Sequence, residues 1–181
     1  MIQIGTLQFE PALEHSEAVA PVVFEMLKAS TSASAVGVSP IDPAFSDTAQ
    51  FCEAYDVTTE ESANCVVLKT KKGEERGFAA LVLLASTRAD INGKACEALG
   101  VKKASFASMG EAVALSHMEF GAITPIGLPN EWTILLDKRV ADSTHVIIGS
   151  GIRGSKLAVS GAFLARLPNV RVVDGLAVPR A

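Results

Sequence analysis

Apolar positions along the chain switch repeatedly between a helical period and a strict alternation, and that switching predicts a mixed fold. Val19, Val22, Val23, Met26 and Leu27 recur at helical spacing. They predict a helix over residues 16–28 whose regular part starts at Pro21, because proline fits only the first turn. Residues 6–9 read as a short strand ended by Pro11, and residues 30–34 as a Ser/Thr/Ala-rich loop. Asp47 carries the side chain of an N-cap for a helix bearing Ala49, Phe51, Cys52 and Tyr55. The apolar runs 64–70 and 77–86, separated by the charged, glycine-containing 71–76, form a hairpin signal.

The second half continues in the same manner. Asp90 is placed to cap a helix over 91–99, with Gly100 just past its end, where a left-handed residue costs little. Residues 104–107 are strand-like, and Ser108 and Glu111 stand at capping-box spacing at the head of a helix over 108–117. The stretch 121–129, with two Gly and two Pro, is irregular. Strands follow at 132–136 and 145–148, then an alternating segment at 156–159, a helix at 161–167 and a final strand at 170–173. Strands that pair mostly through hairpins, with helices between some of them, point to an α/β (α+β) fold. Its sheet or barrel is mixed, largely antiparallel and flanked by helices rather than doubly wound.

Composition narrows this without redirecting it. A chain of 181 residues, 49% hydrophobic and 20% charged, suits a single domain over 1–181 and excludes disordered or fibrous classes. The net charge of −4 gives no general basic excess. It is uneven: residues 1–65 hold ten acidic side chains against Lys28 alone, and residues 66–181 hold ten acidic against fifteen basic. That asymmetry fits either solvated faces or a polyanion-facing surface in the later part. Cys52, Cys65 and Cys96 lack disulfide or CxxC spacing, and His15, His117 and His145 share no ligand spacing, so neither metal nor cofactor is expected. The start lacks a signal-peptide pattern, and the longest apolar stretch, 77–85, is about half a membrane span. The expectation is a cytoplasmic protein with no membrane partner.

Two glycine patterns carry candidate chemistry. Gly149, Gly151 and Gly154 spell GxGxxG after an apolar run, with Asp174 downstream. As a dinucleotide fingerprint this needs a helix next, yet 156–159 alternates and Ser160-Gly161 interrupts, which favours a turn between two strands. The other pattern, Gly121 and Pro125 followed by Gly127 and Pro129, makes a loop that is stiff at some points and closely approachable at others, able to aim N–H groups at an anion or carbonyl. No GxSxG elbow is present. Lys102 and Lys103 follow a helix end, where they complement its dipole or contact phosphate.

From about residue 47 to 173 these motifs, in their order, resemble the YbaK/EbsC family, the prolyl-tRNA-synthetase-associated editing domain that deacylates mischarged tRNA. The match runs through the Asp47 helix, the hairpin, the Leu99-Gly-Val-Lys-Lys turn, the Gly121-to-Pro125 loop, the strand ending in Asp137 and the Gly149-to-Gly154 turn. Residues 1–40 lie outside it as an N-terminal extension. The resemblance implies an aminoacyl-tRNA deacylase acting in translation fidelity, with tRNA as partner and a synthetase as a second one. Asn64, Gly121, Thr124 and Pro125 then hold the ester. Gly127, Asp137, Ser150 and Gly151 shape the opposite wall, and Lys102, Lys103 and Arg153 contact phosphate or the terminal adenosine. Family members with editing activity usually carry lysine where this chain has Asn64, and an amide brings hydrogen bonds without charge. The alternative is therefore an inactive module that keeps the pocket and binds tRNA ends, an amino acid or a protein. Pocket volume is expected to depend on Phe78, Met118 and Phe120.

Overall fold

In the computed structural model, which describes residues 2–180, the two apolar runs pair as a long hairpin, β4 (Ala63–Lys72) and β5 (Glu75–Leu84). Gly73, at φ +62, turns the chain between them, a conformation that suits glycine. β5 reads as an unbroken apolar run because both its faces are covered. Ala80, Val82 and Leu84 enter the main core, while Leu81 and Leu83 enter a second one with Leu68 and Leu135.

β5 sits third in a five-stranded sheet, β11 (Val170–Val173), β8 (Thr133–Asp137), β5, β4, β7 (Lys103–Phe106). β8 runs parallel to β5 and β11 parallel to β8, so half of this sheet is parallel and half antiparallel. A second five-stranded sheet is antiparallel throughout: β1 (Ile2–Ile4), β2 (Leu7–Pro11), β3 (Gly37–Pro40), β10 (Ser155–Val159), β9 (Val146–Gly149). Residues 2–40 thus supply three of its strands. The two sheets meet where Ile147 N donates to Glu61 O at 2.7 Å, and they curl around the main core.

Caps set the helix boundaries. α1 (Pro21–Ala29) begins at its proline, while the residues before it form only a 3-10 turn, Ser16–Ala18. Asp47 accepts from Ala49 N at the head of α2 (Thr48–Tyr55). Asp90 accepts from Gly93 N and Lys94 N, starting a π-turn at Ile91–Ala95 that tightens into α3 (Cys96–Leu99) and stops at the left-handed Gly100. The Ser108–Glu111 capping box opens α4 (Met109–Ser116). Two short helices, α5 (Lys138–Ala141) and α6 (Gly161–Leu164), follow β8 and β10. The strand at 170–173 is not the final one: β12 (Ala177–Pro179) pairs with β6 (Thr87–Ala89) as a ribbon of three residues a side, too short to leave a period in the sequence. Among the described residues no helix is long and apolar enough to cross a membrane.

Asp137 closes the parallel half of the sheet. Its carboxylate is buried, accepts from Arg139 N at 2.9 Å to cap α5, and accepts from Ala177 N at 2.9 Å to hold β12. Asp137→Ala removes the cap and leaves a buried N–H unpaired, which is expected to cost about 2–3 kcal/mol. Urea denaturation should show the loss, and Asp137→Asn, which keeps one acceptor, should lose less.

Candidate functional site

α4 ends at His117 in the left-handed region, and the chain then bends through residues 119–129 across the β9–β10 turn. Two hydrogen bonds dock the bend: Glu119 N donates to Gly151 O at 2.8 Å, and Gly151 N to Ala122 O at 2.9 Å. The Arg153 guanidinium ties it further, donating to Phe120 O at 3.3 Å and to Pro43 O at 3.0 Å. The approach requires glycine. A Cβ on residue 149 would press into the Ala122 carbonyl, and one on residue 151 into Ala20. The GxGxxG pattern is therefore a turn between antiparallel strands that receives the bend, with strand β10 following it directly.

Between the bend and β4 lies a cavity of about 350 Å³. Ala63, Val67, Ala107, Ala112 and Ile123 form its apolar wall. Phe106, Met109 and Phe120 stand at its mouth, with 64%, 56% and 52% of their surface exposed, the two phenylalanines offering aromatic faces of the kind that stack on bases. Its polar groups are Ser46, Asp47, Thr48, Asn64 and Lys156. Thr48 Oγ1 donates to Asn64 Oδ1 at 2.8 Å, which orients the amide. Among the described residues Asn64 Nδ2 and the backbone N–H groups of Gly121 and Ile123 donate to no protein group, so the cavity is lined by unused donors.

Lys156 is the buried cation of the site. It pairs across β10 and β9 with Gly149, and both residues line the cavity. Its Nζ donates to Ser46 O at 3.2 Å and lies 5.0 Å from the Phe51 ring centroid. Burial pulls its pKa down from 10.5 to about 8; nearby Cys52 and Asp47 push it back up, and Arg153 adds to the lowering. Cys65 also lines the cavity, but burial against the core pushes its thiol up to about 12, so it stays protonated and is no nucleophile at neutral pH.

Of the residues singled out from the sequence, Asn64 and Gly121 line this cavity and Arg153 braces its bend. Thr124 and Pro125 turn inward: Thr124 N donates to Met118 Sδ at 3.4 Å, and its buried hydroxyl has no partner among the described residues. Gly127 packs on the Val22 backbone. Ser150 bonds within its own turn to Ile152 O and Ser155, Gly151 receives the bend, and Asp137 holds α5 and β12. Lys103 lines a separate cleft with Lys69, Lys71 and Arg76 toward the turn end of the β4–β5 hairpin, and Lys102, next in sequence, is exposed. Phe120 reaches the cavity, whereas Phe78 stacks on Trp132 and Met118 lies under Thr124. Ser46 and Lys156 were not singled out. A lone lysine among the apolar positions of 155–159 was the available signal for Lys156; Ser46 offered none. Among the described residues no three His, Cys, Asp or Glu side chains cluster as metal ligands.

The model of a family described as the aminoacyl-tRNA editing domain matches residues 42–167. No curated protein matches the sequence. Among solved structures, one described as a candidate trans-editing enzyme for prolyl tRNA synthetase superposes with a TM-score of 0.72 at 18% identity, covering 86% of this chain and 94% of that one. A hypothetical protein gives 0.65 at 20% identity, covering 77% and 86%. A candidate signal transduction protein from Marinobacter aquaeolei VT8 gives 0.59 at 14%, covering 87% of this chain and 30% of that one. At these identities the likeness is one of fold.

Two measurements check this geometry. Gly149→Ala forces the bend away from β9 and is expected to cost about 2–3 kcal/mol, read as a fall in thermal midpoint together with faster hydrogen exchange at Gly151 N–H. Cys65 should resist iodoacetamide at pH 8 in the native protein and react once unfolded, as followed by peptide mass spectrometry; rapid native labelling contradicts the raised thiol.

Proposed function

The chain belongs to the aminoacyl-tRNA editing domain family, and on that premise we propose that it is a deacylase hydrolysing the ester of a mischarged tRNA. The observation that carries the reading is the hollow between the Gly121 bend and Asn64, lined by unused donors on one side and an apolar wall on the other. An aminoacyl ester is already activated, so its hydrolysis needs position and charge stabilisation more than a covalent side chain. The bend's N–H groups receive the developing oxyanion, and the Asn64 amide orients the carbonyl. Water adds to the carbonyl carbon, the tetrahedral intermediate expels the ribose oxygen, and that oxygen takes the proton the water gives up. The terminal ribose's neighbouring hydroxyl is placed to relay that proton. A neutral Cys65 thiol takes no part.

The tRNA itself is the natural partner, with a synthetase as the second. Phe106 and Phe120 at the mouth offer stacking surfaces for unpaired terminal bases, with Met109 as a flexible apolar contact beside them. The cleft of Lys69, Lys71, Arg76 and Lys103 offers a path for phosphates, although Lys69 already pairs with Glu111 at 2.9 Å. Binding through such a cleft weakens with salt. One observation favours a second reading, a binding module without turnover: Asn64 brings no charge to the wall it occupies.

A deacylation panel separates the two readings. Proline-type tRNA charged with alanine, cysteine, serine and threonine should give turnover on at least one ester, and Asn64→Ala should lower kcat/KM about tenfold by deleting one hydrogen bond to the reacting group. Retained tRNA binding with no turnover on any ester decides for the module.

A further inference from the structure

The cavity has two depths. Gly121 and Asp47 are exposed and Asn64 is half-buried, so the mouth is where an ester tethered to RNA must sit. Lys156 and Ser46 lie deeper, 8% and 2% exposed. Both line the same cavity as Asn64 and Gly121.

Both are under-used. Ser46 Oγ is buried, lines the cavity and has no hydrogen-bond partner among the described residues. The Lys156 ammonium has three protons and donates one, to Ser46 O. No carboxylate lies within ion-pair distance of it among the described residues, and its other close neighbour is the Phe51 ring. A cation and a hydroxyl left in this state inside a protein cost stability unless something completes them. An apolar acyl group leaves both incomplete, whereas an oxygen acceptor completes both.

We propose that Lys156 and Ser46 form a specificity pair that reads an oxygen acceptor on the acyl side chain, so that the site selects hydroxyl- or carboxylate-bearing aminoacyl esters over apolar ones of the same size. This rests on the deacylase reading and deepens it. The titratable groups acting on the ammonium are Asp47 and Cys52 from α2 and its cap and Arg153 from the β9–β10 turn; among the described residues none of them hydrogen-bonds to it, so none supplies the missing acceptor. The discrimination arises because a site with buried donors penalises an analogue that cannot meet them. With a lysine pKa of about 8, preference for a carboxylate should fade as pH rises through that value, while preference for a hydroxyl, which can also donate to the neutral amine, should fade less.

The test uses one tRNA charged in turn with serine, its apolar isostere 2-aminobutyrate, alanine and aspartate. The wild-type protein should favour serine or aspartate over 2-aminobutyrate by about 10- to 100-fold in kcat/KM, the range for a hydrogen bond to a charged group. Lys156→Met, which fills the same volume without charge, should bring that ratio close to one while turnover of the 2-aminobutyrate ester is retained or raised, and its thermal midpoint should be no lower than wild type. Ser46→Ala should reduce the ratio to a lesser extent, which keeps the idea testable should the lysine variant fail to fold. A wild-type ratio near one, or a ratio unchanged in either folded variant, overturns the specificity pair and leaves the deacylase reading standing. No wild-type turnover of any ester overturns both.

Discussion

The seating of the 119–125 bend on the β9–β10 turn is the constraint on which the rest depends. Two backbone hydrogen bonds and the Arg153 fork hold it, and Gly149 allows the backbones to come close enough for those bonds to form. The seat fixes Gly121 and Ile123 opposite β4, and the cavity is the gap that remains. Because the bend is anchored to a hairpin of the second sheet and the facing wall belongs to the first, the site spans a junction between layers, the usual place for a pocket.

That junction carries conflicting demands. The core on either side is close-packed and apolar, yet the cavity holds an ammonium with no ion-pair partner and a hydroxyl with no hydrogen bond among the described residues. The lysine's depressed pKa expresses the conflict as a linkage. Between about 8 and 10.5 the unfolded chain binds the proton more tightly than the native one, so this residue's contribution to stability rises with pH across that window, and its full penalty is present below it. Strain of this kind concentrates where function requires unsatisfied groups.

The two sheets also divide the labour. The antiparallel sheet is assembled from both ends of the chain, β1 to β3 from the first 40 residues and β9 and β10 from the last third, so the early strands brace the strand that carries Lys156. The mixed sheet supplies Asn64 and the rigid hairpin beneath it, and its parallel half, closed by the Asp137 carboxylate, stands away from the cavity.

What the sequence determined by itself was local. Caps at Asp47, Asp90 and Ser108, the proline start of α1, the hairpin runs and the irregular 121–129 stretch are all fixed by side chains within a few residues of one another, and each stands in the structure as its spacing predicts. Asn64 and the Gly121 bend, singled out by residue type, line one cavity. Tertiary structure alone decided the rest. β3, β6 and β12 exist only through partners far away in sequence, and Asp137, Ser150 and Thr124 look like functional groups until the fold shows what their neighbours require of them. Lys156 and Ser46 acquire meaning only when α2 and β10 meet around one hollow, because burial and the lack of a partner are properties of an environment and cannot be encoded in spacing.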